Sequence, residues 1–219
     1  MTLLDHQQRR RPIEPPDPRR VHDLYASKFV DRYDLGAQLW ERLTCRHALA
    51  AFEHRLRLLP KRPLHVLDIG CGTGRNLQRL AAAGIDIDNY VGVDTSKRML
   101  HRAATNHPYS RARFVSGDAI DTLRSEGKHD LIVITWVLSH HPDPAALIAA
   151  ATNALAPEGR VLILALTASD TIVGRAHAWR LRRFLHSNPI DPVILHEASP
   201  SFLGVSCRGL ITIAEIPRR

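Results

Sequence analysis

The chain has 219 residues, the size of one domain with room for a small lid. Apolar residues make up 44% and charged residues 24%, globular proportions that exclude disorder throughout. Thirty Lys and Arg against 22 Asp and Glu give a formal net charge of +8, which admits nucleic acid, anionic lipid or acidic small molecules as partners and selects none.

Residues 131–138 form the longest apolar run, far short of a membrane span. No apolar core follows the first charges, so no secretory signal is expected. Cys45, Cys71 and Cys207 are an odd set at wide spacing with no CxxC pair. That pattern argues against a disulfide framework or a zinc site and for a reducing cytoplasm.

Residues 1–20 carry five arginines and four prolines and read as a flexible leader. From 21 to 60 the pattern is helical, with Leu39, Leu43, Leu49, Phe52, Leu56 and Leu59 on a three-to-four spacing, and this stretch is expected to form a lid. Tyr25, Phe29 and Tyr33 recur every four residues, which gives either an acceptor-facing aromatic face or a stripe packed on the domain. Pro60 and Pro63 end the helical pattern.

The domain proper is expected over 61–219, with a cofactor-binding core at 64–166. Short apolar runs suited to buried parallel strands stand at 64–69, 90–93, 113–115, 131–135 and 161–166. Helical stretches separate them at 76–83, 96–106 and 144–155, and weakly at 119–127. Such alternation predicts an α/β fold: a Rossmann-like, doubly wound sheet with helices on both faces. Residues 167–219 break this alternation. There a basic helix over about 172–187, carrying Arg175 and Trp179, precedes extended runs at 192–197 and 209–216. The gap between those runs is too short for a crossover helix, so they pair antiparallel.

The segment Val66-Leu-Asp-Ile-Gly-Cys-Gly-Thr-Gly-Arg-Asn76 sends an apolar strand into three alternating glycines and then into a helix. Glycine allows positive φ and close approach of a ligand to bare backbone at a helix start. The spacing is G-x-G-x-G, not the dinucleotide G-x-G-x-x-G. Asp68, two residues ahead of Gly70, repels a pyrophosphate and suits an ammonium or sulfonium group. Asp94 ends the second strand, where an acid accepts ribose hydroxyls. Gly117, Asp118 and Ala119 follow the third strand and could read an adenine edge. The competing role for an acid at a strand end is a helix cap.

With these residues in place, the chain resembles the class I S-adenosylmethionine-dependent methyltransferases over about 64–166. VLDIGCGTGRN is similar to the family's first motif, GVDTS to its second and SGDAID to its third. The resemblance implies a seven-stranded sheet, mostly parallel with an antiparallel C-terminal pair, and S-adenosylmethionine as cofactor. It assigns the methionine part to Asp68 and to Gly70, Cys71, Gly72, Gly74 and Asn76. It gives the ribose to Asp94, the adenine to Thr95, Met99, Gly117, Asp118 and Ala119, and the end of the fourth strand to Thr135 and Trp136.

The run Trp136-Val-Leu-Ser-His-His-Pro-Asp-Pro144 resembles that of enzymes methylating oxygen or carbon of small molecules, and it lacks the pattern of amide and base N-methylation. His140 and then His141 are the candidate general bases. Tyr25, Phe29, Tyr33, Arg175 and Trp179 are candidate acceptor contacts. Seven arginines beyond 171 face only Asp191, Glu197 and Glu215, which leaves an anionic acceptor open. The expected function is methylation of a small organic molecule in the cytoplasm, in secondary metabolism or elsewhere. A homodimer stays open, and neither a membrane nor a nucleic acid is expected as partner. Two other readings stand beside it: an RNA methyltransferase, and a catalytically silent cofactor-binding subunit.

Overall fold

The structure is a computed structural model. It describes residues 30–108, 111–139, 141–169, 181–183, 185–186, 192–198, 201–202, 205–206 and 209–218. The leader at 1–20 lies outside the described residues. So does the basic helix of 172–187, except for the helical residues 181–183 and 185–186.

Two helices come first, α1 (Val30–Thr44) and α2 (Arg46–Arg57). The strands and helices then alternate: β1 (Leu64–Ile69), α3 (Arg75–Ala82), β2 (Ile87–Asp94), α4 (Lys97–Asn106), β3 (Ala112–Ser116), α5 (Ala119–Ser125), β4 (His129–Thr135), α6 (Pro144–Asn153) and β5 (Leu155–Ser169). Strands β6 (Val193–Ala198) and β9 (Gly209–Pro217) complete the main sheet, and β7 (Ser201–Phe202) pairs with β8 (Val205–Ser206) in a separate small hairpin.

The seven-stranded sheet runs β3-β2-β1-β4-β5-β9-β6. Strands β3 to β5 are parallel, and β9 is antiparallel to both β5 and β6. The expected Rossmann-like sheet with its antiparallel C-terminal pair is therefore present. Alternate residues of each strand serve opposite layers. Leu67 and Ile69 of β1 join α5, α6 and Leu181 and Leu185 in one core. Val66 joins α2, α3, Leu162 and Ile213 in the other.

Several boundaries differ from the pattern in the sequence. Strand β2 starts at Ile87, because 87–89 are only half covered and carry Asp88 and Asn89 between apolar positions. Strand β5 takes in 155–160, ahead of the run expected at 161–166: Leu155 pairs with His129 and Arg160 with Leu131 across an irregularity. Glu158 within it has φ 62°. The weak signal at 119–127 is a true helix, because the Asp118 carboxylate accepts the amides of Ile120 and Asp121 and caps it.

The stretch 21–60 is also not one lid. The helix breaks at Cys45, and α2 buries Ala48, Phe52 and Leu56 against the sheet, so α2 is a layer of the domain. Only α1 reaches over the loop after β1.

Candidate functional site

The topological switch point lies between β2 and β4, the two neighbours of β1, where strand order reverses and ligands bind in folds of this kind. Here the strand ends are level: Ile69 sits opposite both Val93 and Ile134, and Asp94 opposite Ser116. The glycine loop crosses this edge. Gly70, Gly72 and Gly74 have φ of 66°, 54° and 82°, in the region that side chains with a Cβ rarely adopt. At Gly70 an added Cβ would also run into Val137, which packs against the loop from the end of β4. At Gly72 it would meet nothing within 4 Å, so the loop leaves an open cradle above bare backbone.

Beneath the cradle lies a buried polar network. Asp68 has no solvent exposure; its oxygens accept from Asn76 Nδ2 at 2.9 Å and from the Tyr90 hydroxyl at 2.6 Å. Asn76 also donates to Thr135 Oγ1 at 2.9 Å, so β1, β2, α3 and β4 are tied at one level. Burial pushes the Asp68 carboxyl up to about 6, although the bonds from Tyr90 and Asn76 and the charge of Arg79 pull it down. Burial likewise raises the Tyr90 hydroxyl and the Cys71 thiol well above their usual ranges.

Asp68 thus lies beneath the loop and not on its surface. An alternating strand residue on the α3 side is sealed under the loop, where it holds the loop's foundation. Met99 is likewise enclosed, 2% exposed in the first turn of α4. Cys71, Asn76 and Thr135 are buried too, and Cys71 packs its sulfur over Gly92. These five position the cleft.

Gly70, Gly72, Asp94, Thr95, Gly117, Asp118, Ala119 and Trp136 keep partial or full exposure. Asp94 accepts the Gly72 amide at 3.0 Å and the Ser96 amide at 2.8 Å, one on each oxygen. A carboxylate offers about four lone-pair positions, so it keeps capacity for hydroxyl donors. Asp118 is exposed and spends one oxygen, Oδ1, on the α5 cap. The cap and a ligand role are compatible there.

Helix α1 lies across the loop. Asp34 and Glu41, seven residues and two turns apart, share its inner face. The Thr73 hydroxyl donates to Asp34. Glu41, 4% exposed, takes Arg75 and, at 2.7 and 2.8 Å, Arg79. A cavity of about 220 Å³ at this junction is lined by Asp34, Gln38, Arg75, Gln78, Asn106 and His107, with Thr73; it is smaller than the sites that enclose a whole nucleoside-sized ligand. Burial lowers the His107 imidazole, against the pull of Asp34.

On a second flank of α1, Tyr33 and Trp40 are also two turns apart. The Trp40 ring meets Trp136 edge-on at 5.1 Å. None of Asp34, Glu41, Trp40, Arg75, Arg79 or Tyr90 stood out in the sequence. The one signal was the aromatic spacing, which continues from Tyr33 to Trp40.

His140, Tyr25, Phe29, Arg175 and Trp179 lie outside the described residues. His141 is placed, and its Nδ1 accepts the Asp143 amide at 3.1 Å. That bond braces the loop after β4. Among the described residues no group of three or more His, Cys, Asp or Glu is placed to hold a metal. No helix of these residues is long and apolar enough to cross a membrane.

A family model described as methyltransferase domain matches residues 39–198. The chain is 32% identical over 144 residues to a trans-aconitate 2-methyltransferase of Methylobacterium radiotolerans, covering 66% of this chain and 53% of that protein. It is 32% identical over 105 residues to a ubiquinone biosynthesis O-methyltransferase of Aromatoleum aromaticum, covering 44% of this chain and 41% of that one. The match thus spans about half the length of these curated relatives. Among solved structures, the N-methyltransferase NodS of Bradyrhizobium japonicum in complex with S-adenosyl-L-homocysteine superposes with a TM-score of 0.65 at 19% identity, over 91% of this chain and 97% of that one. With a glycine cradle at the switch point and a family match over most of its length, the chain belongs to the methyltransferase-domain family.

Proposed function

We propose that the protein binds S-adenosylmethionine in the cradle above Gly72 and transfers its methyl group to an oxygen or carbon of a small organic molecule. One observation carries this: the open backbone at Gly72 is bonded directly to Asp94, the acid placed for a ribose. The residues fit the cofactor. The bare loop leaves space where a Cβ would stand, and Asp94, Thr95 and Asp118 form the exposed rim. When bound, S-adenosylmethionine supplies an electrophilic methyl carbon on a sulfonium centre.

The protein's own part is alignment and exclusion of water. Asp94 holds ribose hydroxyls, and Asp118 with the amide of Ala119 meets the base. Asp68, Asn76 and Thr135 keep the loop at its level. Helix α1 closes over Thr73 as the lid. His140 is the base that takes the acceptor's proton, because it follows the β4 end that Trp136 begins. An anionic acceptor drawn by the arginines beyond 171, a homodimer and a cytoplasmic location complete the proposal; Cys45 and Cys71 as free buried thiols support the last.

The test is calorimetric titration of S-adenosylhomocysteine into the purified protein. It is followed by transfer of labelled methyl from S-adenosylmethionine to a panel of phenols, carboxylic acids and total RNA. Micromolar binding with label on small molecules alone is expected. Label on RNA, or no binding, would sink the reading.

A further inference from the structure

We propose that Trp40 and Trp136 form the wall against which a planar, oxygen-substituted ring of the methyl acceptor stacks, with Trp40 setting acceptor choice. The inference rests on the methyl-transfer reading above and adds the acceptor's chemical class to it.

Trp136 is the first residue after β4. Thr135 before it belongs to the network under the glycine loop, and Val137 after it packs on Gly70. Its backbone therefore stands at the sheet edge, and its ring packs partly buried against the α2-side core. Its backbone has φ 62°, a left-handed conformation that a bulky residue adopts only where the surroundings hold it. What holds it is a hydrogen bond of 2.8 Å that its backbone N–H donates to the Leu164 carbonyl of β5. Such strain is typical of sites where a side chain must be aimed.

The Trp136 indole N–H is buried and finds no hydrogen-bond acceptor among the described residues. A buried donor without a partner is rare and calls for one from outside the protein's own side chains. It has no accessible surface in this structure, so an oxygen on the bound molecule would supply the acceptor only with a turn of the ring toward the cleft. Facing Trp136 is Trp40, whose ring is 41% exposed although it already meets the other indole edge-on. The exposed indole face is flat, apolar and electron-rich. A conjugated ring covers it by offset stacking; a puckered saturated ring of the same substituents covers less of it. Tyr33 on the same flank of α1 extends the aromatic surface by two turns.

The experiment uses the full chain saturated with S-adenosylhomocysteine. The probes are 4-hydroxybenzoate, 3,4-dihydroxybenzoate and 2-naphthol, each paired with its ring-saturated counterpart. Binding is read by calorimetry and by quenching of tryptophan fluorescence. At least one aromatic probe should bind roughly tenfold tighter than its saturated partner, the scale of one aromatic stacking contact. Trp40→Ala should shrink that ratio to within about twofold, and Trp40→Phe should retain most of it. Trp40→Ala should leave the affinity for S-adenosylhomocysteine unchanged. Trp136→Phe, which keeps a ring but removes the N–H, should weaken the aromatic probes with an unaltered circular dichroism spectrum. No binding of any aromatic probe, equal binding of the paired probes, or the same ratio in Trp40→Ala overturns the wall. Failure of S-adenosylhomocysteine itself to bind the wild type overturns the cofactor reading, and the wall with it.

Discussion

The carboxylate of Asp34 on α1 accepts the hydroxyl of Thr73 in the glycine loop, so the helix that precedes the sheet is fastened to the loop that follows its first strand. Asn106 at the end of α4 donates to the second oxygen at 3.3 Å, and Arg102 stands 3.8 Å from it. Three segments distant in sequence meet on one side chain. The position of α1 and the height of the loop are therefore tied to each other.

Asp34→Ala should therefore weaken S-adenosylhomocysteine binding about fivefold, the effect of one charge-assisted hydrogen bond reduced for partial exposure. Thr73→Val removes only one of the contacts that Asp34 makes, so it should weaken binding by no more than Asp34→Ala, and the double variant should be no weaker than Asp34→Ala alone. Calorimetry decides it. An unchanged affinity in Asp34→Ala would leave α1 as packing only.

The strand order and the glycine loop were legible in the sequence because both rest on local rules: apolar runs of strand length, and glycines where φ turns positive. Asp94 and Asp118 were legible too, as acids at strand ends. The burial of Asp68 was not. Whether a strand carboxylate faces a ligand or the helix layer depends on Tyr90 and Asn76, which reach it from eight and 22 residues away. Glu41 was hidden for the same reason. On α1 alone it looks like a solvated helix acid, and only the docking of α3 brings Arg75 and Arg79 over it. Identity of the elements was local information; which face each presents to another was not.

Asp68 makes stability depend on pH. Its folded pKa of about 6 lies above the usual carboxylate value, so the folded state holds a proton that the unfolded chain has released between about pH 4 and 6. Its contribution is thus most favourable below the unfolded value and is lost as pH rises through 6. Two units correspond to about 3 kcal/mol. Asp68→Asn should remove this slope: its melting temperature relative to wild type should climb between pH 4.5 and 7.5. A constant difference across that window would mean the carboxylate is not strained by burial.

His129 acts in the opposite sense. It is 2% exposed at the start of β4, and neither ring nitrogen has a partner among the described residues. Burial lowers its imidazole; His65 and Arg113 push the same way, and Glu126 and Asp130 oppose. The unfolded chain takes up the proton first, so this residue's contribution is present above the unfolded value of about 6.5 and is lost as pH falls below it. His129→Phe should flatten the acid side of the stability curve, read as chemical denaturation midpoints from pH 7.5 to 5. If wild type and variant fall in parallel, the ring is paired in solution. Comparing it with Asp68→Asn separates two groups whose slopes partly cancel in the wild type.

Glu41 offers the largest single loss. Its carboxylate is 6% exposed and is shared by Arg75 and Arg79, themselves 18% and 12% exposed. Glu41→Ala leaves two guanidinium groups facing each other with no counter-charge in a mostly dry site, a change that costs about 3 kcal/mol. For a chain of this size that corresponds to a fall of roughly 6–12 °C in melting temperature. Glu41→Gln keeps the shape and one acceptor, so it should fall between wild type and alanine. Replacing Arg79 by Met in the Glu41→Ala background should recover part of the loss, because it removes one stranded charge. Scanning calorimetry of the four proteins tests this. A drop below 2 °C in Glu41→Ala would mean that solvent, and not Glu41, carries these arginines.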